Sequence, residues 1–121
     1  MAQHNDLGKQ GEEIAINYLT KNGYKIIKTN WRFGKLEIDI IARINDILVF
    51  VEVKTRSADY WVEPEYTLTK KQQGFLIKAA NAFIDMNYYD MEARFDVFSI
   101  VMHPKGHEIK HIDDAFYPYS N

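Results

Sequence analysis

No cysteine occurs in the 121 residues, which excludes disulfide staples, thiolate metal sites and a cysteine nucleophile. Proline is scarce at three residues and glycine at six, so no proline-rich linker or glycine-rich tract divides the chain. No apolar run approaches the roughly twenty residues a membrane-crossing helix needs, and the polar start has no leader-like apolar stretch. One domain, residues 1–121, in the cytoplasm is the expectation, with a core large enough to fold unaided. An excess of positive charge is missing too: the net charge is -2, which is not the footprint of a general nucleic-acid coat protein. The charge is unevenly spread, however. Residues 25–56 hold seven Lys and Arg against four acids, and residues 85–121 hold three against seven.

What is present is a 46% hydrophobic composition with 15 Phe and Tyr residues, ample for an ordered core. Residues 8–21 predict a helix, because Ile14, Ala15, Tyr18 and Leu19 fall at helical spacing and Asn22-Gly23 is a stop signal. A short strand is expected over 24–28 and a polar turn carrying Trp31 and Arg32 over 30–35. A loop with Pro64 covers 55–68. Thr69 is placed to cap a helix reaching about Met86, with Phe75, Leu76, Ala79, Ala80 and Phe83 on its apolar face. Strands are expected over 94–102 and 107–112, and the tail after Asp113 reads as a short docking segment. Helix, three strands, helix and further strands give a mixed α/β sandwich.

Two strand-like runs in the middle of the chain carry acid on one face: Leu36 to Ala42, with Glu37 and Asp39, and Ile47 to Lys54, with Glu52. Asn45-Asp46 between them suits a two-residue hairpin turn, being residue types that tolerate left-handed backbone. With these as the central turn residues, Asp39 faces Glu52 and Glu37 faces Lys54 on a shared face. Like charges directly opposite each other destabilise an antiparallel pair. At roughly 5 Å and an effective dielectric of about 20, the repulsion is on the order of 3 kcal/mol. A divalent cation would compensate, and a local rule broken without structural gain is where function is expected. The plainer reading is a solvated sheet face on which Lys54 neutralises one acid. It suits Glu37 with Lys54 but leaves Asp39 opposite Glu52 unexplained.

Asp39, a long gap, then Glu52-Val53-Lys54 resembles the PD-(D/E)xK nuclease superfamily. The three-residue motif alone is weak. The set Gly8, Gly11-Glu12, Ala15, Tyr18-Leu19, Gly23-Tyr24, Asn30-Trp31-Arg32, Glu37 to Ala42, Val49 to Lys54, Arg56, Lys71-Gln72, Arg94 to Val97 and Ala115-Phe116 is more specific, and resembles the YraN-like bacterial family. That family's fold is similar to archaeal Holliday-junction resolvases. The resemblance spans residues 8–116. It departs from the family at Gly34-Lys35-Leu36, where a glycine usually precedes the Glu37 equivalent, and in the loop before Pro64, which lacks a common glycine.

The resemblance implies a restriction-endonuclease-like three-layer sandwich, a mixed central sheet flanked by helices. It implies Asp39 and Glu52 as ligands of Mg²⁺ or Mn²⁺ and Lys54 beside the attacking water, with Glu12 on the first helix completing the site. Hard oxygen ligands suit these ions. An ion there makes bound water more acidic and stabilises charge on the phosphate. Close to a cation the Lys54 ammonium pKa is expected to fall. Taken without the resemblance, Glu12 is equally well a solvent-facing acid near a helix start, and Glu13 is left on the surface. Arg32, Lys35, Arg56, Lys70 and Lys71 surround the region in sequence and would contact phosphates, though each alone reads as ordinary surface charge. Gln72 resembles the polar residue that borders this superfamily's site. Trp31 would stack on a base or, as the better fit, sit in the core or at a dimer contact.

His107-Glu108-Ile109-Lys110-His111 satisfies the H-E-x-x-H zinc-protease pattern, which requires a helix. Pro104 and Gly106 precede it and a terminal segment follows, so the segment is read as a strand with edge histidines. The leading expectation is a metal-dependent endonuclease acting on DNA, including branched or recombining DNA, and the resolvase resemblance implies a homodimer with one site per strand. The alternative from another class is a nucleic-acid-binding module that keeps the fold without cleaving. A purely structural partner-binding domain would leave the acid cluster unexplained.

Overall fold

The computed structural model describes residues 2–64, 66–87 and 89–117, with side chains from residue 6 onward. Helix α1 spans Ala2–Lys21, strands β1, β2 and β3 span Lys25–Phe33, Leu36–Ile44 and Ile47–Ser57, helix α2 spans Lys70–Asn87, and β4 and β5 span Glu92–His103 and Gly106–Phe116. They form one five-stranded sheet in the order β1-β2-β3-β4-β5. The β1-β2-β3 ladder is antiparallel, β3 and β4 run parallel across the α2 crossover, and β4-β5 is antiparallel. This is the α/β architecture of restriction-endonuclease-like proteins, a mixed sheet with a helix on each face. Neither helix is long and apolar enough to cross a membrane.

Each sheet face builds its own core. Ala15 and Leu19 of α1 pack with Ile40, Ala42, Val49, Val51, Phe98 and Ile100. Leu76, Ala79, Ala80 and Phe83 of α2 pack with Ile38, Ile41, Leu48, Phe50 and Phe95. β3 is the central strand, and its alternation is regular: Val49 and Val51 look to α1, Leu48 and Phe50 to α2.

Local signals explain most boundaries. At the end of α1 the Tyr24 N–H donates to the Leu19 carbonyl at 3.0 Å, with Gly23 at φ 89°, a left-handed helix stop that glycine takes without strain. At the start of α2, Thr69 Oγ1 accepts from the Gln72 N–H at 3.1 Å and Gln72 Oε1 accepts from the Thr69 N–H at 2.9 Å, a reciprocal capping box. At the hairpin, Asn45 takes φ 52° and the ladder runs Ile44↔Ile47, Arg43↔Leu48, Ala42↔Val49, Ile41↔Phe50, Ile40↔Val51. This is the register expected from Asn45-Asp46 as the turn.

Three expectations are corrected. Residues 30–33 are not a polar turn: β1 runs on to Phe33, pairing Trp31 with Ile38 and Arg32 with Glu37. Trp31 packs edge-on against Phe83, with centroids 5.2 Å apart, so burial of the ring pulls a polar-looking segment into the sheet. Phe75 is not core; it is 46% exposed while Leu76, Ala79, Ala80 and Phe83 are buried. Residues 113–116 belong to β5 rather than to a docking tail, and the rest of that segment, 118–121, lies outside the described residues.

Candidate active site

The regular alternation of β2 breaks at one residue. Ile40 packs under α1 and Ile41 under α2, yet Ile38, two positions before Ile40, packs under α2. A strand keeping strict period two would put Ile38 and Ile40 on one face, so the facing resets at Asp39. On β1, Thr29 pairs with Ile40 and Trp31 with Ile38, which sets Asn30 opposite Asp39, and Asn30 has φ 51°. A non-glycine residue in the left-handed region is uncommon, and asparagine is among the few that tolerate it. The two neighbouring strands are kinked at the same level.

The kink opens the sheet. The β2-β3 ladder ends at Ile40↔Val51, whereas the β3-β4 ladder continues to Ser57↔Met102. From Glu52 onward β3 is therefore paired on one side only. The exposed ladder position is filled by a side chain: the Val53 N–H donates to Asp39 Oδ2 at 2.8 Å. That bond holds the Asp39 carboxylate at the mouth of the gap, against Glu52.

The electrostatics are those of a crowded acid pair. Burial, then the Glu52 charge, push the Asp39 carboxyl up to about 7, against the lowering effect of the Val53 N–H, and the protonated form donates a hydrogen bond to Glu52. Glu12, on α1, is raised as well, by burial first and then by the charges of Asp39 and Glu37, while a hydrogen bond from the Asn30 side chain works the other way. Gly11 brings it there: a Cβ at that position would run into the Thr55 side chain of β3, so only glycine lets α1 settle this close to the sheet. Glu13 points away and is exposed.

Lys54 Nζ lies 3.6 Å from Glu52 Oε2, not beside Glu37 as the hairpin arithmetic implied; Glu37 instead meets Arg32 Nε at 3.6 Å across the β1-β2 ladder. The reset at Asp39 is the reason, since Glu37 lies beyond it. Burial works against the Lys54 ammonium, but Glu52, Tyr66 and Asp39 outweigh it and hold Lys54 above its ordinary value. The ammonium donates to the Tyr66 hydroxyl oxygen and lies 5.3 Å from that ring's centroid, and the Tyr66 O–H donates to Gln72 Oε1 at 3.4 Å. Tyr66 and Asn30 are site residues that sequence reasoning passed over. Tyr66 sits in an irregular loop with no periodic signal, and Asn30 was assigned to a turn.

Of the basic and polar residues expected to meet phosphates, Lys35 and Gln72 line one cavity with Glu52 and Glu37. Lys71 lies at the start of α2, its ammonium 5.8 Å from the Phe75 ring centroid, and Lys70 beside it is exposed. Arg32 is spent on Glu37. Arg56 is exposed and donates to the Glu63 carbonyl at 3.4 Å, further along β3. His107-Glu108-Ile109-Lys110-His111 lies on edge strand β5, as expected. His111 is no idle edge residue, because it stacks on Phe98 with centroids 4.2 Å apart and meets Asp96 Oδ2 at 2.7 Å.

Among the described residues, no three His, Asp or Glu side chains converge closely enough to hold a metal ion. The Asp39-Glu52 pair nonetheless has the chemistry for a hard dication that takes one or two carboxylates and keeps its waters. The Glu52 charge that raises Asp39 marks where positive charge would be compensating, and the residues present fit the ion.

Residues 11–100 match the family model described as "Uncharacterised protein family UPF0102". A UPF0102 protein of Flavobacterium psychrophilum is 45% identical over 119 residues, covering 98% of this chain and all of the relative. One of Christiangramia forsetii is 43% identical over 117 residues, covering 97% of this chain and 98% of the relative, and one of Bacteroides thetaiotaomicron is 41% identical over 118 residues, covering 98% of each.

Proposed function

The chain belongs to the UPF0102 family, and we propose that it is a divalent-metal-dependent endonuclease hydrolysing phosphodiester bonds in DNA. The observation that carries the reading is the meeting of the Asp39 and Glu52 carboxyl groups at the point where the sheet opens, with the Asp39 carboxyl pushed up by burial and by the Glu52 charge. A structural sheet gains nothing from such a pair, whereas a cation-binding site is built from one. When bound, Mg²⁺ or Mn²⁺ supplies Lewis acidity to the phosphate and makes water more acidic.

The chain's own residues do the rest. Asp39, fixed by the Val53 N–H, and Glu52 would hold the ion, and Glu12 would join through water from its place on α1. Lys54, kept charged by Glu52 and Tyr66, neutralises the developing negative charge on phosphorus and orients the attacking water. It acts as a fixed ammonium rather than as a base. Lys35, Lys71 and Arg56 add phosphate contacts that position the strand without reading sequence. Two copies of the chain would present one site to each strand of a branched or recombining DNA.

The test is Mg²⁺- or Mn²⁺-dependent cutting of linear, flapped and four-way DNA, abolished in Asp39→Ala and Glu52→Ala. A second reading, binding without cleavage, draws on the lack of a third converging ligand among the described residues. Salt-sensitive binding retained in both variants with no cutting of any member of the panel would establish it in place of the first.

A further inference from the structure

Beside Glu52, under the first turns of α2, lies a cavity of about 180 Å³. Its floor is apolar, made of Leu36, Leu68 and Leu76, and its lip is Phe75, an aromatic residue 46% exposed on a helix whose neighbouring apolar residues are buried. Nothing in the packing of α2 requires a ring there. The polar rim is equally specific. Gln72 Oε1 is occupied by the Thr69 N–H and the Tyr66 hydroxyl, which leaves the Gln72 amide N–H₂ as a donor without an acceptor among the described residues. Lys35 lines the opening together with the Glu37 and Glu52 carboxylates, and the Lys71 ammonium lies 5.8 Å from the Phe75 ring centroid.

The volume is well below the roughly 300–1,000 Å³ of sites that enclose drug-sized ligands, so one planar ring system fits and a folded peptide does not. An apolar slot with an aromatic wall, one amide donor and flanking ammonium groups is what a nucleobase requires: stacking for its face, a donor for a carbonyl oxygen, cations for the adjoining phosphates. In a continuous duplex a base presents only its edges, and its faces are covered by neighbours. A base can enter this slot only when unpaired or rotated out of the stack.

We propose that the cavity lined by Leu36, Leu68, Gln72, Phe75 and Leu76 receives the unpaired base of the nucleotide next to the phosphate that would be engaged through the cation at Asp39 and Glu52, making single-stranded or locally unpaired nucleic acid the substrate. The choice of bond rests on the nuclease reading; the base slot stands on the cavity itself. Phe75 is the residue that sets this preference.

The experiment measures binding by fluorescence anisotropy in an Asp39→Asn background, which removes turnover and leaves the cavity lining intact. Four probes of equal length are compared: a single strand, its duplex, a flapped duplex, and a single strand whose central nucleotides lack bases. The strand and the flap are expected to bind about tenfold tighter than the duplex and the abasic strand, the range that one stacked base supplies. Phe75→Ala should erase the difference and Phe75→Trp should restore it. Equal affinity for the duplex, equal affinity for the abasic strand, or indifference to Phe75→Ala would each overturn the slot. Cleavage by the unsubstituted protein is followed in parallel. Cutting without base preference overturns this inference alone, whereas base preference without any cutting supports the slot and removes the nuclease reading.

Discussion

Two acids of the same sheet, the buried Asp96 on β4 and the half-buried Asp39 on β2, are treated in opposite ways. Asp96 is fully buried and completely compensated. The Arg94 guanidinium reaches both of its oxygens, at 2.9 and 2.8 Å, His111 meets it at 2.7 Å, and the Asp114 N–H donates to it at 3.0 Å. Burial pushes its pKa up, but His111, Arg94 and the Asp114 N–H more than cancel that and hold the carboxyl below its ordinary value. Tyr24 extends the cluster by accepting from Arg94 at 2.6 Å, tying α1's exit to the far side of the sheet. Asp39 has one N–H and a second carboxylate for company, and its pKa goes up. A fold that can satisfy an acid this well at Asp96 leaves Asp39 short of positive charge, and the proposed cation site rests on that shortfall.

The largest separation of the two regions should come from alanine substitutions. Asp39→Ala is expected to lower turnover by about a thousandfold or more, on the order of 4 kcal/mol of lost transition-state stabilisation, with the melting temperature unchanged or raised. Asp96→Ala should cost about 3–5 kcal/mol of stability, because it strands Arg94 in a half-buried position, and chemical denaturation would show it as a lower midpoint. Were Asp39→Ala the more destabilising of the two, the contrast would collapse.

Next in size is the response to pH. The native Asp39 holds its proton up to about 7 while the unfolded chain loses it near 4, so this residue lowers stability progressively as pH rises through that window, and the penalty is full above it. Asp39→Asn should therefore stabilise the protein by about 4 kcal/mol at pH 8 and by little at pH 4. Millimolar Mg²⁺ should recover a similar amount for the unsubstituted protein at pH 8 and none at pH 4. Asp96 has the reverse sign: its depressed pKa contributes stability present above the unfolded value and lost as pH falls through the folded one. Thermal melts from pH 3 to 9 of Asp39→Asn and of a half-cluster variant, His111→Phe, would show slopes of opposite sign.

The smallest effect is expected from Tyr66→Phe. Losing the hydroxyl that links Lys54 to Gln72 removes one hydrogen bond, worth about 1 kcal/mol, so turnover should fall about fivefold with stability nearly constant. An unchanged rate would detach Tyr66 from the site.

The hairpin was legible because its determinants are local: Asn45-Asp46 set the turn, strict alternation set the register, and Asp39 came to Glu52 as the arithmetic required. The α2 start was legible for the same reason, Thr69 and Gln72 capping each other. The hairpin arithmetic sets Glu37 beside Lys54 and fails because period two breaks at Asp39, a break that shows in the fold, where Ile38 and Ile40 pack on opposite faces and Asn30 takes left-handed backbone. Phe75 has the spacing of a core residue and is not one, since helical periodicity cannot tell the middle of a buried face from its rim. The Asp96 cluster joins residues 24, 94, 96, 111 and 114 from two strands and a helix exit, and no single spacing rule relates all five.

By itself the sequence determined the two helices, the central hairpin and the meeting of two carboxylates, because turn chemistry and side-chain alternation act over a few residues. Only the tertiary structure decided that the sheet parts beyond Ile40 and Val51, that Gly11 lets Glu12 approach, and that a base-sized hollow lies next to Glu52. Those depend on how helices and strands from distant parts of the chain share space, which is settled by packing rather than by any local preference.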